Sequence, residues 1–183
     1  GGGAPGFVSG TVLLPGRSAG FSYFTNAEEG MLTRALRSGI ADIIMGKGDF
    51  DWIADGRRLE TENNAKSIAA AAEIDASQAA GAPPSLPLEA YAGTWRDPWY
   101  GEIVIEPRDG GLWLTFSHTP SLQGPLEPYD GETMRTRFPD KREEDVFVAF
   151  ALENGRPATA TMKAVSPDAD FSYDFHDLRL RKV

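Results

Sequence analysis

From Leu86 to the C-terminus, apolar and polar residues alternate in short runs, a period of two that belongs to half-buried strands and not to helices. The runs read GEIVIEP, GLWLTFS, DVFVAFALE, ATATMKAV and DLRLRKV, with RDGG, YDGE, ENGRP and SPDAD among the segments between them. Those separators are rich in Gly, Asp, Asn and Pro, the residues that favour tight turns. About eight strands spaced roughly eight to twelve residues apart predict a small antiparallel barrel or sandwich. Closure into a barrel is the cleanest way to hide strand edges. A short helical turn over LPLEAYAG is expected just ahead of the first strand.

The first half has a different texture. Two β-like runs, FVSGTVLLP and AGFSYFT, flank PGRS, which reads as a hairpin. Asn26 then suits a helix N-cap, with Glu28 and Glu29 in the first turn where carboxylates favour the helix dipole. Met31, Leu32, Ala35, Leu36, Ile40, Ile43 and Ile44 recur at helical spacing until Gly46, Gly48 and GDFDW end the pattern. From residue 53 to about 80 the chain is rich in alanine, a strong helix former with little apolar bulk. Gly81 and PPSLP stop that helix. Three segments result: 1–52, hairpin plus helix; 53–85, helical connector and proline strap; 86–183, the β domain.

Composition removes several functions. Lys and Arg number 18 against 27 Asp and Glu, a formal charge of −9, which disfavours nucleic acid and anionic membrane as partners. No cysteine is present, so disulfides, thiolate catalysis and cysteine-held metals are excluded. No apolar run reaches the roughly 18 residues of a membrane span.

The search for chemistry is equally sparse. There is no Ser-x-x-Lys, no Tyr-x-Asn and no Gly-x-Ser-x-Gly elbow. Two histidines, His118 and His176, cannot build a three-histidine zinc site, and they read as surface or rim residues of the β domain. The acidic pairs in GDFDW (Asp49, Asp51) and REEDV (Glu143, Glu144, Asp145) read as solvated turns, lacking the further donors of a calcium loop. The leading GGGAPGF has no preceding strand and no following Lys-Ser/Thr, so it is not a phosphate loop. Neither a catalytic set, nor a metal site, nor a cofactor site is expected.

The order of the pieces carries more. GGGAPGFVSGTVLLPGRSAGFSYFTNAEEG, a helix, DIIMGKGDFDW, an Ala-rich connector, LPLEAYAGTWRDPWYGEIVIE and the ending DFSYDFHDLRLRKV together resemble a known arrangement. The chain resembles the C-terminal part of a penicillin-binding-protein/class C β-lactamase-like serine hydrolase. It includes the small β-barrel domain appended to many such enzymes and often filed as a domain of unknown function. In that family the catalytic Ser-x-x-Lys and Tyr-x-Asn lie upstream, and a His- or Lys-headed triplet ending in Gly borders the active site. The resemblance puts Gly1 and Gly2 at the second and third places of that triplet, with Gly3 next, where a backbone N–H helps form the oxyanion hole. Small residues there leave an acyl group room to lie along the strand.

Its implications for partners follow. Residues 1–52 lack their partner strands, so the missing N-terminal part of the hydrolase domain is the expected partner. Alone, the segment is exposed, rearranged or buried by a second copy in a homodimer through residues 1–50. Many relatives are exported, which tilts an otherwise unassigned location towards the periplasm or secretion. The parent's substrate stays open among β-lactams, stem peptides, D-amino-acid peptides and esters.

Gly93-Thr94-Trp95 on the first barrel strand resembles the Gly-x-Trp of lipocalin-like barrels, where an arginine from the last strand covers the Trp ring. That resemblance implies Trp95 as the barrel plug, with Arg179 or Arg181 over it. The expected fold is therefore mainly β, α+β overall, with an eight-stranded lipocalin-like antiparallel barrel after the hairpin and helix. Trp99, Tyr100, Trp113 and Phe116 either fill the barrel or line an apolar pocket. Three functions are then carried forward. The first is a non-catalytic C-terminal region of a serine hydrolase whose barrel serves substrate access, active-site covering or oligomerisation. The second is a stand-alone module binding a small apolar ligand, and the third a structural dimerisation module.

Overall fold

The computed structural model describes residues 1–4, 6–169 and 172–183 and separates into two compact units, Gly1–Lys66 and Ser67–Val183. The first unit holds β1 (Gly2–Ala4), β2 (Phe7–Leu14), β3 (Ala19–Thr25), α1 (Gly30–Met45) and the first half of α2 (Trp52–Ala80). The three strands form an antiparallel sheet in the order β1-β2-β3. The expected hairpin is β2–β3, turned by a 3-10 segment at Pro15–Arg17, with pairs such as Val8 with Thr25 and Val12 with Phe21. The leading glycines add a third strand that sequence alternation does not announce.

Alternation divides this sheet into two faces. Val8, Val12, Leu14, Phe21 and Tyr23 are half-buried on the face that meets α1. Phe7, Leu13 and Phe24 stand on the other face at 60%, 74% and 82% exposure. Helix α1 starts at Gly30, four residues after the expected cap Asn26. One tertiary and one local bond hold the residues ahead of it out of the helix: the Glu28 carboxylate accepts the Gly6 N–H, and the Thr25 hydroxyl donates to Ala27 O. The end falls as expected, with Gly46 in the left-handed region and its N–H on the last carbonyls. Asp51 of GDFDW does more than sit in a turn. Its Oδ1 accepts the N–H groups of Ile53 and Ala54 at 3.0 and 2.9 Å and so caps α2.

The second unit holds the later half of α2 followed by eight strands. Its strands are β4 (Gly93–Asp97), β5 (Gly101–Arg108), β6 (Gly111–Phe116), β7 (Gln123–Asp130), β8 (Thr133–Thr136), β9 (Val146–Glu153), β10 (Arg156–Ala164) and β11 (Arg179–Lys182). Each pairs antiparallel with the next, and β11 pairs with both β10 and β4, which closes an eight-stranded up-and-down barrel. Closure removes both sheet edges. A 3-10 turn at Leu88–Tyr91 precedes the first strand, as LPLEAYAG predicts.

Side chains fill the barrel. Tyr91, Trp95, Leu114, Leu126, Met134, Phe138, Val146, Val148 and Leu180 are fully buried, and the Trp95 and Tyr91 rings both meet Phe150, at 5.0 and 5.1 Å. Burying one such side chain contributes about 1.5–3 kcal/mol, which makes this interior the main apolar contribution to the unit's stability. The later half of α2 fastens to the wall through buried Arg135, whose guanidinium donates to Asp75 Oδ1 at 2.6 Å and Gln78 Oε1 at 3.3 Å. After the helix, residues 81–85 strap the barrel. Ala82 N–H donates to Asp130, Gly131 N–H to Ala82 O, and Ser85 N–H to Glu132. Glu132 also accepts the Tyr91 hydroxyl, and burial together with that carboxylate pushes the phenol up to about 12.

Candidate functional site

Two places collect the residues singled out by sequence. One is the glycine strand. Gly2 and Gly3 pair with Ser9 and Val8, while the opposite edge of β1 adjoins no strand in the sheet order. A Cβ on Gly1 would stand 2.7 Å from Ser9 O, and one on Gly3 would stand 3.3 Å from Phe7 O; at Gly2 nothing lies within 4 Å. A small-residue edge strand of this kind presents bare N–H and C=O groups to which an extended chain can add.

The second place is one end of the barrel, where the β4–β5 turn, the segment after β6 and the approach to β11 surround a cleft of about 210 Å³. Asp97 builds the turn. Its side chain is buried at the end of β4, where Oδ1 accepts the Trp99 and Tyr100 N–H groups at 2.7 and 2.9 Å and Oδ2 accepts Arg179 N–H at 2.7 Å. Burial by itself would push this carboxyl up, and the three backbone donors outweigh it, holding the group below its ordinary value. Trp99 is consequently fixed at its backbone while its side chain is 87% exposed. Gly101 follows at φ +85°, and a Cβ there would come within 2.8 Å of the His118 ring, so the glycine serves both the turn and the histidine's position.

Aromatic rings form the cleft floor and wall. Tyr173 stacks on Phe175 with centroids 5.5 Å apart and planes 15° from parallel, and Phe116 meets Phe175 edge-on at 6.2 Å. The Tyr173 hydroxyl donates to Arg142 O at 3.0 Å, which pins the ring. Tyr100, His118, Thr119 and Asp174 complete the rim. Burial first, then the charges of Asp174 and Asp177, raise the Tyr100 hydroxyl above its ordinary value.

The four aromatics singled out by sequence thus separate. Tyr100 and Phe116 line this cleft, whereas Trp99 faces a shallower groove with Pro98, Asp177 and Arg179. Trp113 lies on the barrel's outer wall, with the Arg108 guanidinium 4.2 Å above its ring. Trp95 is fully buried, and its Nε1 donates to Tyr91 O at 3.0 Å. The cation over its ring is Lys182, with Nζ 5.5 Å from the centroid and donating to Ala90 O at 2.6 Å. Arg179 is turned away, its guanidinium donating to His176 O and Leu178 O, and Arg181 is exposed. Gly93 belongs to this arrangement, because a Cβ there would stand 2.9 Å from Lys182 Cε.

The remaining acids hold turns. Glu144 accepts Ser166 N–H at 3.0 Å and Asp145 accepts Phe138 N–H at 2.6 Å. Among the described residues no group of three or more His, Asp or Glu is placed to hold a metal ion. No helix among the described residues is long and apolar enough to cross a membrane. Sequence inspection overlooked Asp97 and Lys182, although both were within reach. Asp97 heads the Asp-Pro-Trp turn that follows a strand, and Lys182 shares its parity with buried Leu180.

No curated protein matches the chain. A crystal structure of the C-terminal domain of penicillin binding protein Rv0907 is similar to it at 20% identity, over 56% of this chain and 89% of that one, with a TM-score of 0.41. The sequence family described as Domain of unknown function (DUF3471) matches residues 77–182, from the last turn of α2 to the final residue of β11. That match spans more than half of the chain and brackets the closed barrel from its strap to its last strand, so the chain belongs to the DUF3471 family.

Proposed function

We propose that this chain is the C-terminal region of a β-lactamase-like serine hydrolase and performs no chemistry of its own. Residues 1–52 end the catalytic domain's sheet, 53–85 connect, and the barrel of 86–183 is an accessory domain that covers the active site and shapes substrate access. One observation carries this reading: the first unit is a sheet without a core. Phe7, Leu13 and Phe24 share its outer face and are all more than half exposed. Leaving this much of three such side chains in water forgoes about 3–7 kcal/mol, a large part of the whole stability of a small domain. A sheet patterned this way gains its stability from further protein laid over that face.

The glycine strand fits the same role. With Gly1, Gly2 and Gly3 on an edge, an acyl group can lie antiparallel to it, reached by a serine elsewhere in the parent enzyme. The filled barrel argues against carriage of an apolar ligand in its lumen, which favours a covering role over the stand-alone binding module.

Labelling with a fluorescent penicillin and a fluorophosphonate tests the proposal. The natural gene product containing this chain is expected to be labelled on serine, and residues 1–183 alone are not. Serine-dependent labelling of residues 1–183 would overturn it. So would sedimentation showing a tight dimer in which residues 7–25 are protected from hydrogen exchange, since a second copy would then cover the sheet.

A further inference from the structure

The cleft at the barrel end is smaller than the roughly 300–1,000 Å³ of pockets that take drug-sized ligands or cofactors. Its size suits one side chain. Its chemistry is aromatic rings bordered by carboxylates: Tyr173 and Phe175 stacked, Phe116 edge-on, Asp174 at the rim, and Asp177 in the adjoining groove. Ring faces carry negative quadrupole potential, and carboxylates add to it, so both contributions favour the same kind of guest, a cation. The neighbouring arginines are engaged with other groups: Arg179 donates to two backbone carbonyls, and Arg142 pairs with Asp140 at 2.7 Å.

We propose that this cleft recognises a lysine or arginine side chain presented by a peptide segment of another protein. A peptide is favoured over a free amine because the site continues beyond the cleft. Tyr100 lines both the cleft and the adjoining groove, where Trp99 projects from the turn that Asp97 fixes. An exposed tryptophan on a rigid backbone gives large contact area at little ordering cost, the usual character of an interface hot spot. The aromatic positions are set before binding, since the Tyr173 hydroxyl is held by Arg142 O and Tyr100 N–H by Asp97. This inference does not depend on the chain ending a hydrolase.

Titrating the full chain with N-acetyl-lysine-methylamide, against neutral N-acetyl-norleucine-methylamide, tests it by amide chemical shifts. Saturable shifts at Trp99, Tyr100, His118 and Phe175 are expected for the lysine probe, with an affinity on the order of millimolar. The norleucine probe is expected to bind at least roughly tenfold more weakly, and D174N/D177N to lower lysine affinity by a similar factor. In the unaltered chain, lysine affinity should also fall as salt rises from about 50 to 500 mM. Equal binding of the two probes, no saturable shift, or salt-independent lysine affinity would each overturn the proposal, whatever the variant's folding.

Discussion

The two units of this chain use β-structure in opposite ways. In the barrel, every strand has two neighbours and the inward residues of each meet those of the others, so alternation is converted into a filled interior. In the first unit, the same alternation produces a three-stranded sheet with an open edge and one face of large apolar side chains in water. Sequence pattern alone does not distinguish them, because a period of two states only that a strand has two unlike faces. What covers the second face decides whether it contributes stability. The barrel covers its own; the sheet does not.

The sharpest way to break this contrast is to empty the barrel. Trp95→Ala removes the largest fully buried side chain together with its bond to Tyr91 O. A loss of about 3–5 kcal/mol is expected, a large part of the stability of a domain this size. Urea unfolding followed by near-UV circular dichroism reads it, and hydrogen exchange in β5 and β6 should accelerate while β2 and β3 are unchanged. Coupled acceleration in β2 and β3 would show that the two units are one cooperative body.

Parity explains what was and was not legible in the sequence. Strand positions, turns and the Gly46 stop were readable because each rests on local chemistry. The cation over Trp95 was harder, since an arginine is the more familiar partner. Yet the alternation that buries Leu178 and Leu180 points Lys182 inward and sends Arg179 and Arg181 to the outside. By the same rule Leu112, Leu114 and Phe116 are inward and Trp113 must face out. Strand β1 had no such signal, for glycines and an alanine alternate nothing. The late start of α1 depends on Glu28 reaching Gly6, a pairing 22 residues apart that no local cap rule contains.

A smaller effect separates the barrel's acid sensitivity from the sheet's. Asp97 is held below its ordinary value by three backbone donors, so it contributes stability above a pH of about 4, the ordinary carboxylate range. That contribution is lost as the pH falls through the depressed folded value, when the carboxyl must protonate. Asp97→Asn keeps an acceptor for Trp99 and Tyr100 but presents an amide N–H to Arg179 N–H. The variant should lose about 1–3 kcal/mol at pH 7 and show a shallower fall in stability on acidification. The slope will not vanish, because Asp75 and Glu132 are depressed as well. An unchanged acid transition would show that the turn tolerates a neutral side chain and that the cleft is not organised by Asp97.

The smallest effect is the most discriminating for the first unit. Leu13→Ala trims a leucine that is 74% exposed on the sheet's outer face. In this chain the change should be within about 0.5 kcal/mol, as for other surface substitutions away from special geometry. In a longer gene product whose catalytic domain lies over that face, the same leucine would be buried. Its truncation should then cost about 2–5 kcal/mol, the range for a core leucine. Measuring both separates a sheet that is exposed by nature from one awaiting its other half. Equal and negligible losses would make the apolar face an ordinary surface and remove the main support for the hydrolase reading.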